Sequence, residues 1–185
     1  MNRKEFLLTG LAAIPAIALA KNAKSSAKKR STTKPFVVDA GKARYGDGYL
    51  FNRVNHNDVK VSSKDTSGQL SVFEYTGVEK IGPLLHVHYQ QDEVFTITEG
   101  EFRFVVGEET HMLKTGQTIF LPRNIPHTWI QLSDTGKLIY FFQPAGKMEE
   151  FFFTMNSLTQ MPTPEEMQRI HREHEMGVVG PPLSL

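Results

Sequence analysis

The chain has 185 residues, 39% hydrophobic and 22% charged, with no cysteine and a formal net charge of +1. This length holds one domain with a substantial core rather than two. The missing cysteines exclude disulfides, thiolate zinc and iron–sulfur sites, so any metal must be held by nitrogen and oxygen donors.

Residues 1–20 read as an export signal: Arg3 and Lys4 precede the apolar run from Leu11 to Ala20, and Ala18-Leu19-Ala20 is a small-x-small cleavage site. Arg3-Lys4-Glu5-Phe6-Leu7 also resembles a twin-arginine signal with lysine in the second basic place. The apolar run is short and alanine-rich for a span, so cleavage after Ala20 would leave an exported protein, periplasmic or extracellular, with no stable membrane insertion. Residues 21–35 hold Lys21, Lys24, Lys28, Lys29, Arg30 and Lys34 and no acid, a composition expected to stay a disordered basic linker. From residue 35 onward the chain carries 13 Lys and Arg against 19 Asp and Glu; this acidic body has no basic stripe and is not expected to bind nucleic acid.

Residues 36–185 read as one folded domain. Strand candidates recur from Tyr49 to Gln143, at 69–75, 93–98, 101–106, 110–113, 118–121, 127–131 and 137–143, which is the all-β pattern of a barrel or sandwich. Glu99-Gly100 and Gly107-Glu108-Glu109 suit hairpin turns between successive strands. Two C-terminal helices follow, at 148–155 and 163–174, the second with Thr163 as N-cap, Pro164 in the first position and Gly177 as its stop signal. Of the scattered histidines, His56 reads as loop, His111 as a partly exposed strand position, and His171 and His174 as a solvated helix face beside Arg172, Glu173 and Glu175.

His86-Val87-His88 puts two imidazoles on one side of an extended segment. The polar stretch up to Glu93 reads as a turn that brings this carboxylate beside them, and His127 opens a further strand after the turn Pro122–Pro126. A His-x-His pair alone needs no metal. Together, three imidazoles and a carboxylate suit one divalent transition metal, with iron, manganese, nickel, copper and zinc all allowed, and leave one or two positions open. Glu93 also has a catalytic role open to it, as the base that removes a substrate hydroxyl proton. By strand alternation, Phe95 and Ile97 share the face of Glu93, while Trp129 and Gln131 share that of His127. These four would form a substrate pocket suited to an aromatic or nonpolar molecule, or plain barrel core.

Gly82, His86, His88, Glu93 and Gly100, followed by Gly116 to Pro122 and His127, resemble in order the two motifs of the cupins, over about residues 45–155. Asn124 stands where that family often has glycine, and Gln131 where it often has asparagine. The resemblance implies a small double-stranded β-barrel of jelly-roll type with His86, His88, Glu93 and His127 as metal ligands. Pro144 to Phe152 and Val178 to Leu183 look like segments of bacterial single-domain cupins grouped as quercetin 2,3-dioxygenase-like. This grouping implies a metal-dependent dioxygenase that uses dioxygen on a small aromatic hydroxylated compound. The alternatives are a non-catalytic cupin that binds a sugar or other small molecule, and an isomerase or decarboxylase on the same site. A homodimer is also expected, pairing through Gln69–Tyr75 unless residues 36–53 cover that strand.

Overall fold

The computed structural model describes residues 34–185. The expected export signal and nearly all of the expected basic linker lie outside the described residues. Eleven strands, all paired antiparallel, and three helices follow in chain order: β1 (Tyr49–Phe51), β2 (Asn55–Val61), α1 (Ser63–Thr66), β3 (Ser71–Gly77), β4 (Leu84–His88), β5 (Asp92–Glu99), β6 (Glu101–Val106), β7 (Glu109–Lys114), β8 (Thr118–Leu121), β9 (His127–Gln131), β10 (Gly136–Gln143), α2 (Met148–Ser157), α3 (Pro164–Glu173) and β11 (Met176–Pro182). They form a six-stranded sheet of order β1-β2-β3-β10-β5-β8 and a five-stranded sheet of order β11-β4-β9-β6-β7. The result is the expected all-β jelly roll with two C-terminal helices.

Alternation builds the core. In β3, buried Ser71, Phe73, Tyr75 and Gly77 alternate with half-buried Val72, Glu74 and Thr76, and β10 buries Leu138, Tyr140 and Phe142 in the same way. Phe95 lies flat on Tyr140, with centroids 5.0 Å apart and planes 7° off parallel, and meets Phe104 of the opposite sheet edge-on at 5.2 Å. Such aromatic pairs add about 0.5–1.5 kcal/mol each beyond the area they bury.

Several expectations are corrected. Glu99-Gly100 is not a hairpin turn, because β5 and β6 lie in different sheets; Gly100, at φ 84°, turns the corner between them. Gly107-Glu108 does close the β6–β7 hairpin, with Gly107 at φ 58°. The strand expected at 69–75 is not an edge: β3 is paired on both sides, by β2 and β10, and what covers it is β2 rather than residues 36–53. His56 belongs to β2, not to a loop. Helix α3 stops at Glu173, with Glu175 at φ 65°, and Gly177 lies within β11. Its N-terminus is as expected: Thr163 Oγ1 accepts from Glu166 N at 3.3 Å, and Thr163 N donates to Glu166 Oε2 at 3.0 Å. No helix among the described residues is long and apolar enough to cross a membrane.

Gly82 leads into β4 pressed against β9, and a Cβ there would run into the backbone carbonyl of Trp129. Gly82→Ala must therefore push apart the two strands that carry His86, His88 and His127. It is expected to cost about 3 kcal/mol. Urea unfolding checks this, and an unchanged midpoint would contradict the packing described.

Candidate metal centre

The cluster joins both sheets. His86 and His88 project from β4, and His127 from the adjacent β9, where His86 and His127 are direct register partners; Glu93 reaches in from β5 of the opposite sheet. The bidentate pair of Arg123 with Asp92, at 2.7 and 3.0 Å, ties the β8–β9 turn to the residue beside Glu93. In that turn Asn124 takes φ 65° and donates its backbone N–H to the His88 carbonyl at 2.8 Å. Asparagine tolerates this left-handed conformation better than most residues, which explains how it fills a place where glycine is common.

One donor atom from each of the four residues lies within 4.8 Å of all the others. His86 Nε2 is 3.2 Å from His88 Nε2, His127 Nε2 is 3.0 Å from Glu93 Oε2, and His88 Nε2 is 3.6 Å from the same oxygen. Metal bonds of about 2.0–2.2 Å put neighbouring donors about 2.8–3.6 Å apart, whether the geometry is octahedral or tetrahedral. The group therefore fits a divalent ion.

The hydrogen-bond network assigns the tautomers. His86 Nδ1 donates to the Leu84 carbonyl at 2.8 Å and His127 Nδ1 to the Ile125 carbonyl at 2.9 Å, which leaves both Nε2 atoms as lone pairs aimed inward. Backbone carbonyls commonly hold metal-binding histidines in this way. Burial lowers the pKa of His86 to about 3 and of His127 to about 4, and holds His88 well below the usual histidine value. Burial also raises Glu93 to about 8, against a smaller lowering influence from His86. At neutral pH without metal, the contact between Glu93 and His127 is thus a hydrogen bond between neutral groups, with the Glu93 proton donated to His127 Nε2, rather than an ion pair.

Gln91 is a residue that the sequence reading missed. It is buried, donates from Nε2 to Glu175 Oε2 at 3.0 Å, and sits against His88, where it favours the protonated ring. Neither Gln91 Oε1 nor His88 Nδ1 closes a hydrogen bond of ordinary geometry. With His88 Nε2 turned to a metal, Nδ1 would carry the proton and Gln91 Oε1 would be its acceptor.

A metal must displace the Glu93 proton but none from the histidines. Its affinity is therefore expected to rise about tenfold per pH unit up to about pH 8 and then level, with about one proton released per ion at pH 7. Calorimetric zinc titrations in buffers of different ionisation enthalpy check this, and a constant affinity from pH 6 to 8 would contradict it.

A cavity of about 110 Å³ opens on the cluster. Its wall includes Phe51, Phe95, Trp129, Tyr140 and Phe142 from the barrel, and helices α2 and α3 close it with Phe151, Phe152, Met155, Met167 and His171. The helices thus cover one mouth of the barrel. Phe95 and Trp129, expected in the pocket, line it; Ile97 and Gln131 lie beyond it in the core. The Gln131 side chain is held by the Gly77 and Ser133 carbonyls and by the Tyr75 hydroxyl, which donates to it. His171 and His174 do not form a solvated face. Both are buried against Phe151, at 5.0 and 5.6 Å between ring centroids, whereas His111 is half-exposed as expected.

Residues 73–142, which include all four cluster residues, match the family model of the Cupin domain. The barrel has a cupin fold. Solved structures similar to the chain include KdgF from Halomonas sp., 15% identical, covering 54% of this chain and 94% of that one with a TM-score of 0.45. An RmlC-like cupin from Shewanella frigidimarina is 21% identical over 51% of this chain and 80% of its own, and TT1209 from Thermus thermophilus is 25% identical over 49% and 84%, both with a TM-score of 0.45. No match was found among curated proteins. The cupin match ends at residue 142, so α2, α3 and β11, with His171 and Glu175, lie outside the matched segment.

Proposed function

We propose that the chain is a metal-dependent dioxygenase acting on a small aromatic hydroxylated compound, with His86, His88, Glu93 and His127 as its metal ligands. The carrying observation is the buried cluster opening directly on a cavity walled by aromatic and methionine side chains. An apolar cavity of roughly 150 Å³ holds one benzene ring, so about 110 Å³ favours a single-ring compound over a three-ring flavonol. A bound redox-active divalent metal would supply Lewis-acid activation of a substrate oxygen and electrons for dioxygen chemistry. The chain's own residues do the rest. Phe95, Trp129 and Tyr140 hold the ring, and α2 and α3 exclude water. Glu93, which gives up its own proton when the metal binds, takes the substrate hydroxyl proton.

The test is incubation of the iron-loaded protein with single-ring dihydroxyphenols and a flavonol, with and without dioxygen. Oxygen-dependent ring opening is expected. Product formed without oxygen, or no turnover with any first-row metal, overturns the reading, the latter in favour of a binding protein.

The proposal includes export directed by residues 1–20, which N-terminal sequencing of the protein recovered outside the cytoplasm tests: a start other than Lys21 contradicts it. It also includes a homodimer. Val61, Val72, Phe141, Val94 and Phe120 are successive register partners in a row across the outer face of the six-stranded sheet, and Phe120 is 58% exposed. A second copy covering that row would bury it. Phe120→Asp is then expected to yield monomers by light scattering, and a monomeric parent protein would contradict the dimer.

A further inference from the structure

Outside the cluster, the polar side chains that line the cavity are Asn52, Tyr75, Tyr140 and His171. His171, on α3, is 5% exposed and lines the cavity beside His86, with ring centroids 6.5 Å apart. Its Nδ1 donates to the Met167 carbonyl at 2.7 Å, one turn back, and this bond fixes both ring orientation and tautomer. Nε2 is left as a lone-pair acceptor. It has no hydrogen bond among the described residues and is not among their buried unpartnered atoms, so it opens on the cavity. The two tyrosine hydroxyls in the wall are already engaged: Tyr75 donates to Gln131 at 3.3 Å and Tyr140 to Asn57 at 2.7 Å.

We propose that His171 Nε2 anchors a second hydroxyl of a ligand whose first oxygen lies toward the four-residue cluster, so that the cavity selects single-ring aromatics with two separated hydroxyls. An apolar wall with acceptors at two separated points recognises such a molecule better than a monohydroxylated one, because each unmatched polar group left in the cavity loses a hydrogen bond. The inference rests on the reading of this cavity as the ligand site, and the closing experiment separates the two.

Trp129 is the only tryptophan in the chain and lines the cavity, so its fluorescence reports binding without turnover. The zinc-loaded full chain is titrated with phenol, resorcinol and 3-methoxyphenol, the last lacking one hydroxyl donor. The parent protein is expected to bind resorcinol about five- to tenfold more tightly than 3-methoxyphenol. His171→Asn keeps a donor near the Nδ1 position but removes the acceptor at Nε2, and is expected to erase that preference. His171→Gln, whose amide oxygen falls near Nε2, is expected to retain part of it. A merely structural role would weaken all three ligands alike. Binding without preference in the parent, or an unchanged preference in His171→Asn, overturns the role of His171 alone. If His171→Asn does not fold, an unchanged preference in folded His171→Leu, which has no acceptor, overturns it. Quenching by none of the three probes contradicts the cavity reading and this inference with it.

Discussion

Glu93→Gln is expected to lower turnover by about 10²–10⁴-fold, the range for loss of a positioned general base, while leaving aromatic ligand binding intact. It should also stabilise the metal-free protein in alkali. The folded-state pKa of Glu93 is raised from 4.5 to about 8, so its favourable contribution is complete below pH 4.5 and is lost as pH rises through 8. The histidines act in the opposite sense. Their folded-state values are lowered from 6.5, so their contribution is present above pH 6.5 and is lost as pH falls toward 4 and 3. The metal-free centre is therefore most stable near pH 6.5. A glutamine at position 93 has no proton to lose and can still donate to His127 Nε2, which removes the alkaline loss, worth on the order of a few kcal/mol by pH 9. Thermal unfolding of both proteins at pH 6.5 and 9, without metal, is the check. A variant less stable than the parent at pH 9 would contradict this account of the buried carboxyl.

His88→Ala is expected to reduce metal affinity by more than 100-fold, since loss of an outer partner alone commonly costs 10–100-fold and His88 supplies a donor atom itself. The ring is also unusually committed: it is 1% exposed, stacks on His127 at 5.5 Å with planes 16° apart, and has an unpartnered Nδ1. Phe142 packs against it on another side, with ring centroids 5.3 Å apart. His111→Ala is the control. Among the described residues that half-exposed ring pairs with Glu109, at 3.3 Å, and its loss should leave affinity unchanged. Equal affinity in the parent and His88→Ala, measured by competition with a chelator, would remove His88 from the site.

The site was legible in the sequence partly through strand periodicity and partly through motif resemblance. His86 and His88 share a face by alternation, whereas the convergence of Glu93 and His127 on them was implied by the resemblance to the two cupin motifs. Which sheet each strand joins was not legible. A one-residue connection at Gly100 looks like a hairpin, and only packing of both inner faces against one core sends β5 and β6 into opposite sheets. The C-terminal helix misled for a different reason. Met167, Ile170, His171 and His174 recur at helical spacing, yet two of the four are histidines and their neighbours are charged, so the buried stripe read as a solvated face. Counting those histidines as amphipathic would have exposed the pattern. Gln91 gave no signal at all: its role depends on Glu175, 84 residues away, and on Gly146, where a Cβ would collide with its side chain.

Everything functional here rests on a metal being held by the four converging side chains. Anomalous scattering from crystals of the zinc-loaded full chain tests this most directly. The account predicts one strong peak bonded at about 2.0–2.2 Å to Nε2 of His86, His88 and His127 and to a Glu93 carboxylate oxygen. No peak among these four, with His127 Nε2 still hydrogen-bonded to Glu93, would contradict it.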